Sequence, residues 1–242
     1  MARPLGYSRA IAALVLSIGL LMPRAAAAES TGDRPASDST DQRARSALPL
    51  LADTDNGRSL FDRHCRRCHG ANAYGDADLG YPVLAGQRFA YLVRQLAAFA
   101  VETRDSPTMH RSMLPPTVRT PQAWVDIAAY VTALPPPRFN RVGDGERTNA
   151  GRIMFHERCA LCHGDDARGD DDHFVPSLRN QHYPYLVSQI VGLAEDHRHN
   201  VDRELVRYLQ ELNGRDIEVL ADYLSRLRAG ADPAGSSAHD RR

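Results

Sequence analysis

All four cysteines of the chain fall in two five-residue stretches, Cys65-Arg66-Arg67-Cys68-His69 and Cys159-Ala160-Leu161-Cys162-His163. Two thiols three residues apart share one helical turn and can reach the two vinyl groups of one porphyrin. The histidine that follows can then turn its imidazole to the iron. This C-x-x-C-H pattern is the attachment signature of c-type haem. Cys65, Cys68, Cys159 and Cys162 are therefore the candidate thioether positions of two covalent haem c groups, and His69 and His163 the candidate iron ligands. A four-cysteine zinc site keeps its pairs closer together, a redox C-x-x-C belongs beside a strand–helix unit, and two disulfides would suit an exported chain. None of these needs a histidine after each pair.

The elements around the motifs repeat. At an offset of 94 residues Gly57 matches Gly151, Phe61 matches Phe155, and Pro82, Leu84 and Gln87 match Pro176, Leu178 and Gln181. "YLV" recurs at 91 and 185, and Arg104 pairs with Arg198; near the end the register slips by one, pairing Tyr130 with Tyr223. Two copies suit a duplicated small domain rather than a solenoid. Apolar residues at helical spacing make each unit mostly helical, with Thr120 as an N-cap and Pro121 at the first helical position. The expected organisation is a first domain over 55–136, an interdomain linker over 137–148 and a second domain over 149–228. Units of this size have little core of their own, and a macrocycle would supply it. Pro82 and Pro176 either offer a carbonyl to the histidine ring or are turn prolines. Gly57 and Phe61 against Tyr130, and Gly151 and Phe155 against Tyr223, read as helix-packing sets.

Residues 1–28 read as an export signal: Arg3 and Arg9, then a short apolar run, then Ala26-Ala27-Ala28. The mature protein is expected in a periplasm with no transmembrane segment after cleavage; a retained signal would instead be an anchor. Residues 29–54 and 229–242 are polar and read as a flexible linker and tail. The formal charge is zero and there is no lysine. Residues 55–137 hold nine arginines against seven acids, and residues 149–228 ten against fourteen. Such a balance gives no basis for nucleic-acid binding and points to protein partners of different charge at the two halves.

Two C-x-x-C-H units in tandem, each with P-x-L-x-x-Q, Y-L-V-x-Q, an arginine and a closing helix with a tyrosine, resemble the cytochrome c4 family over about residues 55–228. The resemblance implies an all-α fold of two class I cytochrome c domains, each wrapped around one haem, and a periplasmic carrier serving terminal oxidases. It also implies a methionine as the second axial ligand of each iron. In the first unit Met113 is favoured, Met109 is the runner-up and His110 a third candidate. In the second unit the counterpart of Met113 falls among Leu205, Val206 and Arg207, none of them a ligand, and no methionine is at hand. His199, alternatively His197, is the expected substitute; Tyr208, His173, His182 and an open five-coordinate iron are the others. Arg104 and Arg198 are candidate partners of the haem propionates.

The expected function is electron transfer between a respiratory-chain or dehydrogenase donor and an acceptor such as a membrane-bound oxidase. A haem enzyme acting on peroxide, a sulfur oxyanion or nitric oxide at an open second iron is the alternative, and a gas or redox sensor a third reading.

Overall fold

The computed structural model describes residues 36–198 and 201–229. Every regular element among them is a helix, accompanied by three isolated β-bridges. The chain runs through α1 (Ala36–Ala47), α2 (Thr54–His64), α3 (Arg66–His69), α4 (Phe89–Ala100), α5 (Pro107–Ser112), a 3-10 turn (Pro116–Val118) and α6 (Pro121–Ala133). The second half repeats five of these as α7 (Thr148–Arg158), α8 (Ala160–His163), α9 (Tyr183–Ala194), α10 (Arg203–Gln210) and α11 (Gly214–Ser225). The all-α, two-domain expectation holds.

Local chemistry sets the ends. Asp53 caps α2 by accepting from the amides of Asp55 and Asn56. Thr120 accepts from Ala123 N, with Pro121 in the first turn of α6. Asn213 and Asp216 form a capping box on α11. In the two halves α2 crosses α6, and α7 crosses α11, at a glycine. A Cβ on Gly57 would lie 2.0 Å from Asp126 O, and one on Gly151 2.4 Å from Val219 O. Beside each crossing an aromatic pair closes the gap, Phe61–Tyr130 at 5.7 Å between centroids and Phe155–Tyr223 at 5.8 Å. These are the packing sets expected from the repeat.

Residues 29–54 were expected to be a flexible linker, yet they carry α1. Thr40, Ala44 and Ala47 are buried against α4 and α6, Asp41 pairs with Arg94, and Thr40 Oγ1 lies 2.9 Å from Thr103 Oγ1. Alanine and threonine suffice because α4 is apolar nearly all round and needs only a thin cover. The interdomain linker is likewise pinned: Asn180 donates to Pro137 O (3.0 Å), Asn140 to Gln181 O (2.6 Å), and Gly145 N to Asp222 (2.8 Å). Residues 1–28, which the sequence reading takes as an export signal, and the tail beyond residue 229 lie outside the described residues. Among those described, no helix is long and apolar enough to cross a membrane.

The halves interlock. Phe174, from the second half's loop, is buried in the first half's core. Its ring lies 4.7 Å from the Arg45 guanidinium and 5.5 Å from that of Arg94.

Candidate haem sites

Both motifs sit at the same break. Cys65 ends α2 and begins α3, with Cys65 N donating to Phe61 O (2.8 Å) and His69 N to Cys65 O (3.0 Å). Cys159 repeats this between α7 and α8, at 2.8 and 3.0 Å. Gly70 and Gly164 follow at φ +76° and +78°, where a side chain would be strained. The four cysteines form no disulfide. Burial, with the neighbouring thiol of Cys68, pushes Cys65 up to about 12. Burial and Cys162 push Cys159 up to about 11. These are thiols held uncharged, not thiolate nucleophiles.

The two histidines are oriented by their prolines. His69 Nδ1 lies 3.3 Å from Pro82 O, and His163 Nδ1 lies 3.1 Å from Pro176 O. A carbonyl can only accept, so Nδ1 carries the proton and Nε2 keeps its lone pair. Burial lowers both pKa values, partly offset by the same hydrogen bonds, favouring the neutral imidazole that a metal needs. Of the two sequence readings of these prolines, the structure has the carbonyl one.

His69, His163 and all four cysteines line one cavity of about 1230 Å³ that continues across the domain boundary. Met113, just past the end of α5, lines it at 4 % exposure; Met109, one turn earlier, lines it half-buried. His110 does not: its Nε2 is 2.8 Å from Arg104 O.

The N-caps give the corresponding register in the second half. Met113 stands seven residues after Ser106, the cap of α5, and Leu209 stands seven after Asp202, the cap of α10. Met109 corresponds in the same way to Leu205. Leu209 is 3 % exposed and lines the cavity, as Leu205 does. The counterpart of Met113 is thus Leu209, two residues beyond the ungapped match. The segment from Arg198 to Asp202 is two residues longer than Arg104–Ser106, and Leu209–Asn213 is three shorter than Met113–Thr120. Together these produce the slip of one at Tyr223.

The candidate substitutes for the missing methionine differ in placement. His199 lies outside the described residues. His197 lines the cavity, but its side chain is 58 % exposed and lies 3.6 Å from the Glu195 carboxylate. Tyr208 lines it against Arg158, whose guanidinium is 5.4 Å from the ring; burial raises its pKa. His173 is exposed and bonded to Asp170 (2.8 Å). His182 is excluded: its Nδ1 takes the Arg141 N–H (3.2 Å), so Nε2 donates to Tyr74 O (2.9 Å).

Arg104 and Arg198 meet at the domain boundary, both buried. Arg104 donates to Gln95 and Gln189 (2.8 Å each) and to Tyr185 (3.0 Å). Arg198 donates to Gln189, Tyr91 and Gln95, each at 3.3 Å. Among the described residues no carboxylate pairs with either, and Arg198 Nε is buried without a partner. Burial and the neighbouring Arg104 charge lower the Arg198 pKa. Two buried guanidiniums facing one another are costly unless an anion joins them. The propionates of two haems would be such an anion, so the cavity, the free thiols, the oriented histidines and the unpartnered Arg198 Nε all fit the group.

The cytochrome c family model matches residues 54–135 and 148–228. The chain belongs to the cytochrome c family. It has two such domains in tandem, with two covalently bound haem c groups as cofactors and electron transfer as its chemistry. Cytochrome c4 of Stutzerimonas stutzeri is 30% identical over 181 residues, covering 67% of this chain and 84% of the relative. A thiosulfate dehydrogenase electron acceptor of Stutzerimonas stutzeri (strain A1501) is 28% identical over 185 residues, covering 72% and 83%. The crystal structure of reduced recombinant cytochrome c4 from Pseudomonas stutzeri superposes with a TM-score of 0.65 at 25% identity, over 74% of this chain and all of that one.

Proposed function

We propose that the cytochrome is an exported, periplasmic carrier that takes electrons from a dehydrogenase or other respiratory donor and delivers them to a terminal oxidase or similar acceptor. The observation that carries this is the single cavity joining both motifs across the domain boundary, which suits passage of an electron from one half to the other. The likeness to a thiosulfate dehydrogenase electron acceptor makes a sulfur-oxidising dehydrogenase a suitable donor.

In this reading Cys65, Cys68, Cys159 and Cys162 hold the porphyrins and His69 and His163 ligate the irons. Met113 completes the first site, and Arg104 and Arg198 take the propionates. His199, or else His197, completes the second, coming from the loop that is two residues longer. A thioether ligand raises a haem's potential relative to a second imidazole. Electrons would therefore enter at the acidic second half and settle on the first. A spectroelectrochemical titration of the holoprotein tests this: two separated potentials, the higher on the methionine-ligated haem, are expected. Equal potentials would remove the direction.

Leu209 at the methionine position favours a second reading, an enzyme with an open iron in the second half. Carbon monoxide separates the two, because a spectral shift of one reduced haem means an open site. Low-temperature electron paramagnetic resonance of His199→Ala and His197→Ala then identifies the ligand.

A further inference from the structure

The carbonyl that orients each proximal histidine belongs to a peptide unit whose other end is gripped by the opposite half. Pro82 C=O and Val83 N–H are one rigid amide plane. The oxygen faces His69 Nδ1 at 3.3 Å, while the N–H donates to Gln181 Oε1 at 2.9 Å, 98 residues away in sequence. Gln181 Nε2 closes the ring by donating to Val83 O (3.0 Å), and both glutamine contacts are buried. The second half mirrors this. Pro176 O faces His163 Nδ1 at 3.1 Å, Ser177 N donates to Gln87 Oε1 (2.7 Å), and Gln87 Nε2 donates to Ser177 O (2.9 Å).

The orientation of each carboxamide is settled by what surrounds it. Gln181 Oε1 also accepts from His182 N (3.0 Å) and Gln87 Oε1 from Arg88 N (2.9 Å). Backbone N–H groups only donate, so the oxygen must face them.

We infer that Gln181 is a positioning residue for His69 and Gln87 one for His163, so that each half tunes the iron of the other. Hydrogen bonds in series polarise one another. An acceptor on the Val83 N–H makes Pro82 O a better acceptor for the imidazole proton. That increases the basicity of the ring and favours the oxidised iron. Undocking the halves would remove both glutamine acceptors at once. The inference rests on His69 and His163 being the iron ligands. A holoprotein whose spectra lack histidine-ligated haem would refute that assignment before any glutamine variant is compared.

The test is the pair of potentials, assigned to each haem by NMR, in holoprotein carrying Gln181→Met or Gln87→Met. Gln181→Met should raise the potential of the first-half haem, by on the order of tenfold in its reduction equilibrium, and leave the second unchanged; Gln87→Met should do the reverse. Gln181→Glu, which keeps an acceptor oxygen on the Val83 amide, should hold the first potential at or below its original value. If Gln181→Met does not mature, the Glu variant and the Gln87 variants still decide the question. Shifts confined to the haem of the substituted half, equal shifts of both, or none would overturn the inference.

Discussion

Met113 and Leu209 occupy the same buried place, each seven residues past the capping residue of its helix, and only one of them has a lone pair to offer an iron. At this matched depth the two cavity walls thus differ by a thioether sulfur, present in the first half and replaced by a leucine methyl in the second.

Leu209→Met should consequently give the second haem a thioether ligand. We expect a second near-infrared sulfur-to-iron band and a higher potential for that haem. The complementary Met113→Leu should abolish the existing band and lower the first potential, whereas Met109→Leu should leave both in place. Absorption spectra of the oxidised variants check all three.

The glycine crossings are the least tolerant points of the scaffold. Gly57→Ala and Gly151→Ala each push a methyl group against a backbone carbonyl that cannot turn aside. Each should cost at least about 1–3 kcal/mol. Denaturant unfolding followed at the haem band measures it, and an unchanged midpoint would contradict the packing described.

Phe174 stabilises a half to which it does not belong. Phe174→Ala should cost about 3–5 kcal/mol, the range for a buried aromatic. The loss should appear as earlier unfolding of the first half. Cleavage by protease within α1 or α4 would report it.

The buried arginines carry a charge that the haems must answer. Arg198→Met should lower both haem potentials, since each guanidinium favours the added electron. It should also cost the holoprotein about 3–5 kcal/mol, as expected when one member of a buried ionic network is removed. Because both guanidiniums are buried, added salt should alter these shifts little.

How much of this could be read in the sequence depends on distance along the chain. The cysteines, the histidines, Pro82 and Pro176, and the Gly–Phe–Tyr packing sets were legible because each is a short pattern repeated in register. α1 was not, since its buried face consists of alanine and threonine in a polar segment, which looks like a linker until α4 is placed beside it. Phe174 sits in an acidic loop with no periodicity to mark it. The correspondence of Met113 with Leu209 was hidden by a two-residue gain and a three-residue loss that nearly cancel. Gln87 and Gln181 were visible as a repeated letter, but their partners are 90 and 98 residues away. The task of a residue whose partner lies in the other half leaves no local signature.

The exchanged glutamine contacts have one more consequence. Each half presents both the carboxamide and the peptide that receives it, at the same offset, so this pair of contacts is reciprocal in the manner of a two-fold interface. The linker between the halves adds local concentration to these contacts, and two separately produced halves that keep its pinned residues should find one another.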